Sequence, residues 1–435
     1  MVTGVRLMRP RTKDLFEVHS ASADPDLNHK VVIVGGCGHV GLPLGLALAC
    51  RGKRVTLLDI DSVKVDRINS GEMPFLEEGA APVLRRVVGR SLTATGDEQC
   101  LKHADCVIAV VSTPVDKHLN PNVNEVCRSM DKVLSRMSEG SLLVLRSTVY
   151  PGMTKLISER IRAFGRDILL AFCPERISEG HALDELSNLP QLISAFDSKS
   201  LSRARQLFLT IAPQVIELDP LEAELAKLFT NSWRYLNFAI SNQFYMLAQT
   251  YGLDFHRIHD AVTSDYPRMK NFATPGFAAG PCLLKDTLQL SAFAKGNFFL
   301  GHAAMLVNEG LPNFIVDQLR RMGLSELRVA ILGMAFKADS DDSRESLSYK
   351  LKNLLLVEAK EVFCTDPFVP DATLIPLERA IARADVVILG APHSAYKNLR
   401  IPADKIVFDV WNFLSARVPS QRAMATAASF TVDAS

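Results

Sequence analysis

At 435 residues the chain is too long for one ordinary hydrophobic core, so two or three domains are expected, and 48% hydrophobic with 22% charged residues is a globular composition. A formal net charge of +1 leaves no basic footprint for nucleic acid or an anionic membrane, so any phosphate-bearing ligand must be held by local charges. The 8 cysteines form no CxxC pair and no metal-type Cys/His spacing, which points to a reduced, cytoplasmic protein without structural zinc.

Residues 1–29 mix Arg, Lys, Asp and Ser with few apolar runs and read as a flexible extension, neither a signal peptide nor a membrane span. The β-branched run Val31–Val34 then enters Gly35-Gly36-Cys37-Gly38-His39-Val40-Gly41, helical periodicity follows through Leu42, Leu44, Leu46 and Leu48, and a second strand, Val55–Leu58, ends at Asp59. Strand, glycine turn, helix and a strand ending in an acid form the dinucleotide-binding arrangement. Gly36 permits the tight turn, Gly38 lets the backbone approach a pyrophosphate, and Gly41 lets helix and strand pack closely; His39 and Val40 share that turn and are expected at the cofactor. Asp59 is expected to bond the adenosine ribose and repel a 2′-phosphate, favouring NAD over NADP, although Lys64 and Arg67 lie nearby.

Further strands are expected at Asp105–Val111, running into Ser112-Thr113-Pro114, and at Ser141–Leu145, running into Arg146-Ser147-Thr148. Both exits lie at strand C-termini, the ligand-binding edge of doubly wound sheets, so Thr113 and Thr148 are candidates to touch nicotinamide ribose or substrate; ordinary turn and capping chemistry is the alternative. Ile168–Phe172 leads to Cys173-Pro174-Glu175-Arg176-Ile177-Ser178-Glu179-Gly180. Glu175 and Glu179 are four apart, so a helical turn would place both carboxylates on one face, where a pair can orient or deprotonate water.

Between Pro220 and Tyr251 neither glycine nor further proline interrupts a helical period, which Gly252 stops. Such a helix is about 45 Å long, enough to link two domains, and its aromatic residues suit burial against a second subunit or within a domain core. On it Lys227 and Asn231 are four apart and point the same way, a cation beside an amide that can hold a developing oxyanion. His256 and His259, followed by Asp260, lack the remaining ligands of a metal site and are expected on a solvated face.

The stretch Pro275-Gly-Phe-Ala-Ala-Gly-Pro-Cys282-Leu-Leu-Lys285-Asp286 reads as a loop entering a helix at Cys282. A thiol there meets the orphan N–H groups and positive dipole end of the helix, which favour a thiolate. Lys285 adds positive charge, and Asp286, four residues on, shares the face, so nucleophile, cation and a general base or water-holder converge as covalent catalysis on a carbonyl requires. A buried cysteine beside a solvated Lys-Asp pair is the structural alternative. Beyond it, Leu327–Leu332 runs into Gly333 without the full glycine pattern, and strands at Val362–Cys364, Asp385–Leu389 and Lys405–Phe408 complete a weakened repeat of the first unit. Lys337 and Arg344, on the loop after its first strand, are candidates for a ligand's phosphates.

The expected fold is therefore α/β, two Rossmann-like doubly wound domains joined by a long central helix: an extension (1–29), an NAD-binding domain (30–219), a central helical domain carrying the cysteine (220–310) and a C-terminal domain (311–435).

From about Lys30 to Asn412 these landmarks, in their order, resemble the nucleotide-sugar 6-dehydrogenases, the UDP-glucose/GDP-mannose dehydrogenase family, whose best-known member acts on UDP-glucose. The resemblance implies oxidation of a hexose C6 alcohol to a carboxylate with two NAD⁺, through a cysteine-bound thiohemiacetal and thioester. It implies that Cys282 is the nucleophile, that Asp286 and Lys227 handle water and oxyanion with Asn231 beside them, and that Glu175 assists thioester hydrolysis with Glu179 near the substrate. Thr113 and Thr148 match cofactor-side or active-site hydroxyls; Lys285 and Arg344 are expected on the cofactor side, and Phe277, Lys337 and Arg268 at the nucleotide-sugar, Arg268 reaching a neighbouring subunit. A dimer through the long helix is implied, with no nucleic-acid or membrane partner.

Departures from the pattern bear on the substrate. Pro174-Glu175-Arg176-Ile177 stands where members acting on UDP-glucose carry phenylalanine and leucine after the Pro-Glu, and is more like members oxidising N-acetylated UDP-sugars, whereas Lys285-Asp286 keeps the glucose-type ending. Asp409-Val410-Trp411-Asn412 replaces an Asp-Gly-Arg-Asn, so a substrate-contacting guanidinium is missing at Trp411. UDP-glucose is the first substrate expected, with a UDP-N-acetylhexosamine, dTDP-glucose or GDP-mannose as alternatives. A hydroxyacid dehydrogenase using Lys227 and Asn231, or a nucleotide-binding protein without turnover, are rival readings that leave Cys282 without a role.

Overall fold

The computed structural model describes residues 29–111, 113, 121–278 and 280–414; nearly all of the expected extension, and Ser112 and Pro114 of the first strand exit, lie outside them. The chain forms two compact units that divide between Leu228 and Phe229.

In the first unit, short β-branched and leucine-rich runs become β1 (Lys30–Val34), β2 (Arg54–Leu58), β3 (Leu92–Thr95), β4 (Cys106–Ala109), β5 (Leu142–Leu145), β6 (Leu169–Phe172), β7 (Gln191–Ala195) and β8 (Val215–Leu218). They form one sheet in the order β3-β2-β1-β4-β5-β6-β7-β8, parallel except where β7 runs against β6. The first six strands have the order of a dinucleotide-binding fold. Both faces of this sheet are covered, which is why β4, β5 and β6 are apolar throughout. The strand pleat divides β1 between two cores: Val31 and Ile33 pack with Leu46 and Phe208, Val32 with Met130 and Ile157. The order reverses between β1 and β4, so the C-terminal ends of those strands face the crevice where such sheets bind ligands. β3, β7 and β8 were not expected from the sequence; β3 is only Leu-Thr-Ala-Thr, too short for its period to stand out.

The helix Pro220–Thr250 is continuous over 31 residues. In the second unit β9 (Arg328–Leu332), β10 (Glu361–Thr365), β11 (Val386–Leu389) and β12 (Ile406–Phe408) form a parallel sheet in the order β10-β9-β11-β12. The helices Phe299–Arg320 and Leu347–Glu358 pack on it, with Leu311, Ile315, Leu351 and Leu355 wholly buried beside Val329 and Ile331. The architecture is thus α/β with two Rossmann-type sheets. The expectation for the histidine pair is corrected: His256 and His259 lie among aromatic rings, His259 against Phe272 at 4.8 Å and His256 beside Tyr245 and Phe255, and burial holds His256 below its ordinary pKa. Packing against Tyr245 and Phe272 turns both rings in. No helix among the described residues is long and apolar enough to cross a membrane.

Candidate active site

The glycine turn after β1 is drawn over the end of β2 because Gly35 and Gly36 both donate their N–H to Leu58 O, at 2.9 and 3.2 Å. A Cβ on Gly36 would lie 2.7 Å from Ile33 O and 2.8 Å from Leu57 Cα, so backbone forbids any side chain there; on Gly41 it would meet Gly35 O at 2.7 Å. Gly38 differs, with only Gly35 O, at 3.8 Å, near its Cβ position, which leaves open space where a pyrophosphate approaches the backbone. Asp59 accepts Cys37 N–H at 2.9 Å on one oxygen and Asp61 N–H at 3.1 Å on the other, so the half-buried carboxylate is fixed at the end of β2 with lone pairs to spare for ribose hydroxyls. Lys64 pairs with Asp61 at 3.3 Å, and Arg67 donates to Met73 O and Pro74 O, so both basic side chains serve local structure. These residues fit NAD. His39 packs on Phe75 at 4.0 Å, and Val40 precedes the helix Gly41–Cys50.

The second sheet treats its equivalent acid differently. Asp366, just past β10, takes the N–H of Met334 and Ala335 and His393 Nε2 on one oxygen, and the N–H of Phe368 and Val369 on the other. His393 Nδ1 accepts Asp339 N–H, so Nε2 carries the proton it donates. Burial pushes the Asp366 carboxyl up, and the His393 hydrogen bond and these amides reverse that, to about 2. With its lone pairs consumed by the loop, Asp366 has no capacity left for a ribose.

Thr113 is buried and Thr148 half-buried at the exits of β4 and β5. The expectation that Glu175 and Glu179 share a helical face is corrected: residues 173–178 are not helical. Glu175 turns inward, one oxygen accepting the N–H of Arg176 and Ile177 and the other paired at 2.5 Å with Arg146. Arg176 donates to Pro190 O, so the arginine of this motif fastens its own loop. Glu77 clamps the far end, accepting the N–H of Gly180 at 2.8 Å and of Ala182 at 2.6 Å, next to Glu179. The sequence reading passed over Arg146, Gln191 and Glu77; a lone arginine closing an apolar strand was the one visible sign.

In the second unit Cys282 is the N-cap of the helix Leu283–Phe293 and is exposed. Cys37, Cys106 and Cys173 are buried, their thiols pushed up to about 12 chiefly by burial, and Cys100 and Cys364 to about 11 for the same reason. Asp286 follows one turn after Cys282 but is 0% exposed. One of its oxygens accepts Asn231 Nδ2–H at 2.5 Å; the other has no hydrogen bond among the described residues and faces Lys285 Nζ at 3.6 Å. Asn231 is 3% exposed, and Lys227, one turn earlier on the long helix, is 9% exposed.

The cysteine loop is shaped by two glycines. Gly280 has φ +102°, and a Cβ there would meet the Phe336 ring at 2.5 Å; at Gly276 it would meet the Trp411 ring at 2.3 Å. Trp411, whose indole N–H donates to Gly390 O at 3.1 Å, therefore lies over the loop backbone and leaves no guanidinium there. Phe277, expected at the nucleotide-sugar, has its ring buried in the core with Tyr245 and Phe255. Lys337 lies over the Phe336 ring at 5.8 Å, Arg344 grips Asp342 through Nε and Nη2, and Arg268 sits exposed on a short turn beside Tyr266.

Comparison with known proteins agrees with this layout. Residues 29–212 match the NAD binding domain of the UDP-glucose/GDP-mannose dehydrogenase family, 221–309 its central domain and 330–416 its UDP binding domain. The chain is 29% identical to the UDP-N-acetyl-D-mannosamine dehydrogenase of Pyrococcus horikoshii over 85% of this chain and 90% of that protein. It is 27% identical to the NDP-N-acetyl-D-galactosaminuronic acid dehydrogenase of Ralstonia nicotianae over 90% and 98%. Among solved structures, a UDP-glucose dehydrogenase from Pyrobaculum islandicum superposes with TM-score 0.81 at 25% identity, covering 93% of this chain and 96% of that one. The UDP-D-ManNAc dehydrogenase of Pyrococcus horikoshii superposes with TM-score 0.79 at 28% identity over 85% and 91%. With all three regions matched in order, the chain belongs to the UDP-glucose/GDP-mannose dehydrogenase family and is an NAD-dependent nucleotide-sugar dehydrogenase.

Proposed function

We propose that this enzyme oxidises the C6 alcohol of a UDP-N-acetylhexosamine to the uronate, through an adduct on Cys282. The observation that carries the covalent reading is the exposed Cys282 at a helix N-terminus, one turn from the buried Asp286–Asn231 pair. Alcohol to carboxylate removes four electrons, so the glycine turn and Asp59 would hold NAD⁺, which would supply a hydride acceptor for each of two stages, alcohol, water and two NAD⁺ giving carboxylate, two NADH and three protons. Cys282 holds the aldehyde as a thiohemiacetal between the stages and releases the acid when water cleaves the thioester. Helix N–H groups favour its anion. Lys227 and Asn231 are assigned to the oxyanion, and the unbonded oxygen of Asp286 to the water.

The N-acetylhexosamine is supported by the Pro174-Glu175-Arg176 wording and by the names of the curated relatives above. UDP-glucose is the second reading, favoured by Lys285-Asp286 and the Pyrobaculum islandicum likeness. A panel of kcat/KM values decides: UDP-N-acetylmannosamine is expected to exceed UDP-glucose by on the order of 10²-fold, the size of a discrimination that an apolar pocket makes on one small group such as the acetyl methyl. Equal or reversed values would transfer the assignment to UDP-glucose.

We place the enzyme in the cytoplasm, where its free thiols persist. Its self-association is assigned to the second unit's apolar hollow of about 720 Å³, where Phe244, Leu247, Tyr251, Ile258, Val262 and Tyr266 are all exposed. Light scattering is expected to return a dimer or larger; a monomer at micromolar concentration would remove this assignment.

A further inference from the structure

The loop that leaves β9 lies at the C-terminal end of the second parallel sheet, the edge where such sheets take ligands, and it is pinned at points that flank Lys337. Asp366, just past β10, accepts the N–H of Met334 and Ala335 at 2.6 and 3.0 Å. His393, just past β11, accepts the N–H of Asp339 on Nδ1 at 2.9 Å, while Ser394 N–H and Oγ–H both donate to the Asp339 carboxylate, at 2.8 and 2.9 Å. Lys337 stands midway between the anchored Ala335 and Asp339. Phe336 N–H closes the loop on Asp342 O at 3.0 Å, and Ser346 Oγ donates to Ala335 O at 3.2 Å.

The crossing of two strand exits brings His393 to this loop. A Cβ on Gly333 would lie 2.6 Å from both N and O of Ala391, so the chain leaving β9 passes directly over the exit of β11. The His393 ring is wholly buried, with Phe368 and Tyr396 at 5.1 and 5.5 Å. Its Nε2–H donates to Asp366 at 3.0 Å, which fixes the tautomer and leaves Nδ1 as the acceptor for the loop. A line of hydrogen bonds thus runs from Asp366 through His393 to Asp339.

The first sheet leaves Asp59 lone pairs for a ribose, whereas Asp366 spends its own on the loop and on His393. A nucleotide on the second sheet is therefore received by the loop and not by the strand-end acid. A buried polar network whose members are bonded to one another specifies a single arrangement of the groups it holds. Here those groups are the backbone on both sides of Lys337, with Asp339 kept at φ +51°, a left-handed conformation that a non-glycine residue holds only when its surroundings impose it.

We propose that His393 is a positioning residue for the nucleotide half of the substrate: oriented by Asp366, it fixes the loop around Lys337 in the shape that receives a nucleoside diphosphate. This rests on the nucleotide-sugar reading above, in which residues 330–416 match the UDP binding domain.

The test measures UDP binding to the full chain by calorimetry. Asparagine carries an oxygen at the position of Nδ1 and glutamine a nitrogen at the position of Nε2, so the two variants divide the two bonds of His393. His393→Asn keeps the acceptor for Asp339 N–H, His393→Gln keeps only the donor to Asp366, and His393→Leu keeps neither. His393→Gln and His393→Leu are expected to raise the Kd for UDP on the order of 10-fold, because binding must then order a loop that is no longer held, and His393→Asn to stay within about twofold of wild type. In turnover with UDP-N-acetylmannosamine, or UDP-glucose should the panel favour it, KM for the sugar follows the same pattern. Saturated kcat and KM for NAD⁺ do not. A role in folding alone lowers the melting temperature of all three variants without sorting UDP affinity by the acceptor at Nδ1.

UDP affinity that is equal in wild type and all three variants, or His393→Asn as weak as His393→Leu, overturns the proposal. Should the histidine variants not fold, Ser394→Ala reports instead, since it removes an exposed bond to the same Asp339 carboxylate. Its Kd for UDP is expected to rise about threefold, and an unchanged value overturns the proposal equally. A wild-type chain that binds no UDP sinks the nucleotide reading of this unit and the proposal together; a wild type that binds UDP, with variants that bind it as well, sinks only this one.

Discussion

Cys282→Ser is expected to bind NAD⁺ and nucleotide-sugar with affinities close to wild type while uronate formation falls by on the order of 10³-fold or more. A serine hydroxyl at the same helix end is far less nucleophilic than a thiolate, and the first oxidation product then has nothing to hold it while the cofactor is exchanged. The side chain is exposed and makes no side-chain cap bond to its helix, so the exchange of sulfur for oxygen disturbs little structure. The same contrast makes the residue selective toward alkylation. Five other thiols are pushed up to about 11 or 12 by burial, so a brief iodoacetamide treatment should label Cys282 and abolish turnover in proportion to the label. Full uronate production by the serine variant would contradict the covalent reading and would leave a four-electron oxidation that does not pass through a sulfur adduct.

Asp286→Asn is the second large effect expected, a fall in kcat of on the order of 10²-fold or more with KM for either ligand little changed. The asparagine keeps the volume at a site with no exposed surface, and its carbonyl oxygen can still accept the Asn231 N–H. What disappears is the charge that faces Lys285 and the acceptor oxygen that carries no hydrogen bond among the described residues. Asp286→Ala also leaves Asn231 Nδ2 buried without an acceptor, a further stability cost of about 1–3 kcal/mol. Circular dichroism melts separate the two variants: the asparagine variant should melt near wild type, the alanine variant lower. A kcat within about threefold of wild type for Asp286→Asn would remove this carboxylate from the chemistry.

The sequence made legible those features that a few adjacent residues decide. The glycine turn is dictated by close backbone approach at Gly36 and Gly41, and Asp59 by its place after β2. Cys282 at a helix start followed the same logic, since a Pro-Cys exit before an apolar period marks an N-terminus. Pairings across long sequence separations were not legible. Arg146 meets Glu175 29 residues away, Glu77 meets Gly180 at a separation of 103, and Asp366 meets His393 27 residues on. Each is a carboxylate whose partner is chosen by the tertiary fold; for Glu175 and Asp366 the sheet does this by bringing distant strand ends to one edge.

The failures have the same origin. Spacing of four suggested a shared helical face for Glu175 and Glu179, but residues 173–178 are not helical and Glu175 itself accepts the amides of Arg176 and Ile177. The lack of further metal ligands around His256 and His259 suggested a solvated face, where Tyr245, Phe255 and Phe272 in fact cover them. The Trp411 replacement was visible as a missing arginine, yet its position over Gly276 could be read only from packing.

The most direct test of the central claim is the number of NADH formed per nucleotide-sugar consumed, measured with NAD⁺ in excess and UDP-N-acetylmannosamine limiting, while the product mass is recorded. Two NADH and a uronate, with no free aldehyde trapped by added semicarbazide, is the predicted result. One NADH with a trapped aldehyde would contradict it, because Cys282 would then not be holding the intermediate.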